Sequence, residues 1–93
     1  MKTKYTVQFA GQTFTRTTAR TYSHIVVAKR DANTAMRWAE RNGEQYVNEV
    51  QGKINDGVYD KYQLQGFCGD FYLAQKLAGS LGSAWTDAQI VAI

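Results

Sequence analysis

The residues with reactive chemistry to offer are few. His24 is the only histidine and Cys68 the only cysteine, so a Cys/His nucleophilic pair requires the fold to bring these two together. Nothing in their spacing asks for it. Cys68 stands between Gly66-Phe67 and Gly69-Asp70, in a loop before a helix, where a small semi-buried thiol is the commoner role. A zinc site needs about four ligands of the His/Cys type, so no metal is expected. Asp56 and Asp60 lie four apart, but Gly57 between them breaks the helix that would align them, and they read as turn residues rather than an acid–base pair. Gly66, Gly69, Gly79 and Gly82 fit neither the Walker pattern nor the dinucleotide fingerprint. With no cofactor expected and no catalytic set, the chain reads as a binding protein and not an enzyme.

The basic residues carry a stronger signal. Net charge is only +3, yet residues 1–30 hold Lys2, Lys4, Arg16, Arg20, Lys29 and Arg30 and no acidic residue. Residues 1–41 sum to +6 from eight basic and two acidic side chains, and residues 42–93 to −3 from three and six. Such asymmetry attracts polyanions. A solvated basic face without a ligand is the plainer alternative.

Two groups follow from this. The first is Arg16, Arg20, Tyr22 and His24, where basic groups interleave with aromatic ones that can stack on unpaired bases. A Thr-rich solvated strand is its alternative. The second is Lys29, Arg30, Arg37 and Arg41, the last three at seven- and four-residue steps along one side of a helix. Trp38 lies near that side, as an exposed interface residue would. A solvated helix face is again the alternative. No helix-turn-helix, zinc-finger or ribonucleoprotein aromatic motif accompanies these groups.

The elements that must position them are read from periodicity. Tyr5, Val7 and Phe9 alternate with polar residues as in a half-buried strand, Ala10-Gly11 makes a turn, and Gln12 to Thr17 is rich in Thr. A third strand is expected from Arg20 to Ala28, completing an antiparallel meander. In it Ile25 and Val27 belong under the helices, leaving Arg20, Tyr22 and His24 on an open face beside Arg16.

Asp31 is a plausible N-cap, and a stripe from Ala35 to Ile54 then recurs at three- and four-residue steps. It fits one helix of about 24 residues or two helices broken at Gly43; the unbroken phase favours one, at a cost of about 1 kcal/mol for the glycine. Residues 58–66 are a connection or short irregular strand. Asp70 to Leu81 is helical with an apolar face of Phe71, Leu73, Ala74, Leu77 and Ala78. Gln89 to Ile93 is a last strand that can join the sheet. The expectation is a single α+β domain over residues 1–93, with an antiparallel sheet of three to four strands and helices packed on one face.

No apolar run approaches the ~20 residues of a membrane helix. Met1-Lys2-Thr3-Lys4-Tyr5 has no signal-peptide character, and one cysteine points to a reducing compartment. A cytoplasmic protein with no membrane partner is expected.

The size, the missing catalytic inventory and the segment Phe14-Thr15-Arg16-Thr17-Thr18-Ala19-Arg20-Thr21-Tyr22-Ser23-His24-Ile25-Val26-Val27 together resemble small phage-encoded anti-CRISPR proteins directed at type I surveillance complexes, type I-F among them. The resemblance lies in the first third of the chain; the remainder matches in length and fold class. It implies a stoichiometric inhibitor in the host bacterial cytoplasm. Such a protein binds a Cas ribonucleoprotein, through Cas subunits, crRNA or both, and keeps target DNA from binding. Many such inhibitors are acidic and mimic DNA. The surface here is basic, which implies contact with guide RNA or an acidic protein patch near the seed, with Arg16, Arg20 and Tyr22 foremost. Two other classes compete: a free-standing phage nucleic-acid-binding accessory protein, and a small self-associating assembly protein.

Overall fold

The computed structural model describes all 93 residues. Its elements run β1 (Thr3–Phe9), β2 (Gln12–Thr18), β3 (His24–Arg30), α1 (Ala32–Asn42), α2 (Glu44–Asn55), a 3-10 turn (Val58–Asp60), β4 (Tyr62–Cys68), α3 (Phe71–Gly79) and β5 (Trp85–Ala92). The fold is α+β, but its strands form two sheets rather than one meander. β1 and β2 make a hairpin in register from Thr3↔Thr18 to Phe9↔Gln12. The other sheet has the order β4-β3-β5, all antiparallel.

The expected β2–β3 pairing fails because both edges of β3 are taken. β4 bonds to one edge and β5 to the other, so no donors or acceptors remain for the hairpin. The hairpin packs face-on instead. Val7 and Phe14 from its inner face join Ile25, Val27 and Phe67 in one buried cluster. On the opposite face Val26 and Cys68 pack on Ala74, with Leu77, Ala78, Leu81 and Ile90 around them. Ile25 and Val27 therefore lie under the hairpin, not under helices, and β3 has no open face. Its central Ile25-Val26-Val27-Ala28 is wholly buried, the uninterrupted apolar run of a strand covered on both sides.

Among the helices, α3 is the one that packs across this sheet, on the face opposite the hairpin. Asp70 caps it by accepting from the Leu73 amide at 2.8 Å. A β-carbon at Gly66 would meet Leu77 Cδ2 at 3.0 Å, so the missing side chain on β4 sets how closely α3 sits. The apolar face expected for this helix is only half used: Ala74 is buried, while Phe71 and Leu73 are exposed.

The single long helix favoured by the periodicity does not form: the chain breaks at Gly43 into α1 and α2. The Gly43 φ of 137° with ψ of 156° is a conformation open essentially to glycine alone. Asn42 closes α1 by donating from Nδ2 to the Trp38 carbonyl at 2.7 Å. Asp31 opens it, accepting from the Asn33 amide at 3.1 Å and the Thr34 hydroxyl at 2.9 Å. Helices α1 and α2 then pack mainly on each other and contribute only Ala39 and Val50 to the buried set. The molecule is elongated. The Cα radius of gyration is 15.6 Å and the long axis 50 Å, against a radius of about 12 Å for a compact chain of this size.

Candidate nucleic-acid interface

Breaking the helix at Gly43 turns α2 against α1 and opens a cleft of about 520 Å³ between them, within the range of natural ligand sites. Thr34, Trp38 and Arg41 reach it from α1, and Tyr46, Glu49, Val50 and Lys53 from α2. Each set follows three- and four-residue steps, which place side chains on one helix face. Arg30 enters from the end of β3, Tyr59 from the 3-10 turn and Ala84 from the segment before β5.

The cleft combines aromatic surface with positive charge. Trp38, 48% exposed, meets Tyr46 edge-to-face with centroids 5.0 Å apart. Arg30 lies over the Trp85 ring at 5.6 Å, a cation–π contact that holds the guanidinium at one wall. Three cations, Arg30, Arg41 and Lys53, face one carboxylate, Glu49. Lys53 Nζ lies 3.6 Å from Glu49 Oε1, with both side chains well exposed, and such a pair holds weakly. An anion can displace it.

The residues singled out from sequence do not form one surface. Arg30, Trp38 and Arg41 come together in this cleft. Arg37 does not line it; its Nη2 points back to Thr34 Oγ1 at 3.4 Å. Arg16 and Tyr22 meet elsewhere, the guanidinium 5.2 Å from the Tyr22 centroid and 6.0 Å from that of Phe67. Arg20 lies in the connection after β2, not in β3, and its carbonyl accepts from Tyr5 Oη at 3.2 Å. The Tyr22 ring packs edge-on to Tyr5 at 5.7 Å and tilted on Phe67 at 5.6 Å. That ring is committed to the protein's own packing and is not a free stacking platform.

His24 opens β3 on the α3 side, 5.5 Å from the Phe71 ring, with Nδ1 2.7 Å from Ser23 Oγ. It is thus separated from Arg16 and Tyr22 by the sheet. Lys29 is engaged as well. Its Nζ lies 3.8 Å from Asp87 Oδ2 and 4.9 Å from the Tyr62 ring centroid. Tyr62 Oη donates to the same carboxylate oxygen at 2.6 Å, and Gln89 Nε2 donates to Oδ1 at 2.9 Å. The Tyr62 hydrogen bond foremost and then that of Gln89 hold the Asp87 carboxyl below its ordinary range, against burial, which raises it, with the Lys29 charge adding least. The same hydrogen bond, with partial burial and the nearby charge, raises the Tyr62 phenol.

His24 and Cys68 do become direct partners across the β3–β4 pair, although their spacing gave no hint of it. The pair is not arranged as nucleophile and base. Burial first, and Asp70 second, push the Cys68 thiol up, while His24 Nδ1 is taken by Ser23. The thiol therefore stays protonated at neutral pH, the reverse of an activated cysteine. No group of three or more His, Cys, Asp or Glu side chains is placed to hold a metal, and no helix is long and apolar enough to cross a membrane.

Tyr46, Glu49, Lys53 and Tyr59 were missed from sequence. Tyr46 falls within the apolar stripe from Ala35 to Ile54, which the periodicity assigns to a core-facing helix side. The available signal was the Tyr46/Glu49/Lys53 spacing, which places all three on one face once Gly43 is taken as a break. Set against known proteins, the chain matches no family model, no curated protein and no solved structure.

Proposed function

We propose that this protein is a non-enzymatic inhibitor that binds a crRNA-guided Cas surveillance complex through its basic surface and blocks target DNA binding. In this reading it engages unpaired guide RNA in the α1–α2 cleft. The observation that carries the reading is the Trp38–Tyr46 pair, Trp38 exposed and Tyr46 half-buried, flanked by Arg30, Arg41 and Lys53. An unpaired base offers a π-face to such aromatics, and its flanking phosphates take the cations. Target identity rests on the resemblance of residues 14–27 to anti-CRISPR proteins. Occlusion of the guide near its seed is sufficient for inhibition, because pairing must begin on an accessible strand. The protein would then act in the host bacterial cytoplasm.

The test is a pull-down from bacterial lysate containing a type I-F complex, with and without nuclease, using wild type and a Trp38→Ala/Arg41→Glu double variant. Recovery of a defined Cas complex by wild type, resistant to nuclease and lost in the variant, is the expected result. Recovery of bulk nucleic acid alone, abolished by nuclease, favours the free-standing phage nucleic-acid-binding protein. That second reading draws on the carboxylate-free hairpin.

A further inference from the structure

We propose that the outer face of the β1–β2 hairpin is a second binding surface, one that enters the major groove of duplex DNA. The register fixes which side chains share that face. Tyr5/Arg16, Val7/Phe14 and Phe9/Gln12 are cross-strand pairs on the inner side, where Val7 and Phe14 are buried. The intervening pairs, Lys4/Thr17, Thr6/Thr15 and Gln8/Thr13, therefore project outward, and all six residues are exposed.

This face is chemically uniform. It holds four hydroxyls, one carboxamide and one ammonium, with no carboxylate and no large apolar group. Lys2 and Arg20 flank it at the Thr3↔Thr18 end, and no acidic residue occurs anywhere in positions 1–30. Solvated faces ordinarily intersperse both signs; this one carries a single cation, neutral hydrogen-bonding groups and no anion. It also lacks the aromatic platform that single strands require, so the cleft and the hairpin suit different forms of nucleic acid.

The shape fits the same ligand. Strands about 5 Å apart and roughly 20 Å long form a ribbon that a B-form major groove, about 12 Å wide, admits. In that groove Gln8 can pair with adenine, Lys4 with guanine, and the threonine methyls with thymine. The ribbon is firmly mounted. Gln12 exchanges two 2.7 Å hydrogen bonds with the Tyr62 backbone, and neither ribbon edge pairs with the second sheet. Insertion thus requires no rearrangement of the core.

The experiment is fluorescence anisotropy with a mixed-sequence DNA duplex and the RNA duplex of the same sequence, on wild type, Thr6→Glu/Thr15→Glu, Thr6→Lys/Thr15→Lys and the cleft variant Trp38→Ala/Arg41→Glu. Wild type is expected to bind the DNA duplex with an affinity that falls about tenfold between about 50 and about 200 mM salt, from about two phosphate contacts, those of Lys2 and Arg20. The RNA duplex should bind at least about tenfold more weakly, its major groove being too deep and narrow. The glutamate pair should weaken DNA binding by about tenfold or more, the lysine pair should strengthen it, and the cleft variant should leave it unchanged. Equal affinity for both duplexes, or indifference to both pairs, overturns the proposal. Because the cleft variant and the threonine pairs lie on separate surfaces, failure of the hairpin and failure of the cleft are read separately.

Discussion

Trp38 on α1 and Tyr46 on α2 stand edge-to-face, their ring centroids 5.0 Å apart, and they meet because the chain breaks between them. Gly43 adopts a backbone conformation that other residues reach only under strain. It thereby converts one amphipathic helix into two that share a cleft.

Replacing Gly43 with alanine is accordingly expected to cost about 1–3 kcal/mol. The loss should fall on the α1–α2 pair, whose buried residues are few, and only secondarily on the sheet. Hydrogen exchange checks this: amides of α1 and α2 should lose protection while those of β3 keep theirs.

Trp38→Ala should weaken binding of a short single-stranded RNA by about 1–3 kcal/mol, the worth of one base–aromatic stack. The measurement is a titration followed by anisotropy of labelled RNA. Tyr22→Phe, by contrast, should leave affinity unchanged, because the Tyr22 ring is held among Tyr5, Phe67 and Arg16.

Gly66→Val should destabilise the packing of α3 on the sheet by about 1–3 kcal/mol, as overpacking does, since even a β-carbon there meets Leu77 at 3.0 Å. Urea unfolding should show a lowered midpoint, with affinity for single-stranded RNA retained under native conditions.

The Tyr62–Asp87 bond predicts a pH dependence with two signs. The Asp87 carboxyl is lowered in the folded state, so its contribution is present above the ordinary carboxylate range and is lost as pH falls through the folded value. The Tyr62 phenol is raised, so its contribution is complete below about pH 10 and is lost as pH rises through the folded value. Asp87→Asn should return the Tyr62 titration toward that of an ordinary phenol, which ultraviolet tyrosinate absorbance measures directly.

Much of the fold was legible because periodicity reports burial. The hairpin, the Asp31 cap and the antiparallel α+β character all follow from local residues. Pairing was not legible, since nothing in Ile25-Val26-Val27-Ala28 says that both of its edges are occupied. β4 went half-recognised because Tyr62–Cys68 has little alternation and carries a register shift opposite Val26/Val27. The candidate site was legible in part. Trp38 and Arg41 keep their helical spacing on α1, whereas Arg30, expected on the same helix face, reaches the cleft from the end of β3, and Arg37 turns away from it. His24 and Lys29 were misplaced because strand start and ion pairing depend on distant Phe71 and Asp87.

The central claim is tested most directly by target-DNA binding to a purified type I-F surveillance complex preincubated with this protein. The account predicts loss of target binding at near-stoichiometric amounts of wild type, and no loss with Trp38→Ala/Arg41→Glu. Undiminished target binding in the presence of excess wild-type protein would contradict it.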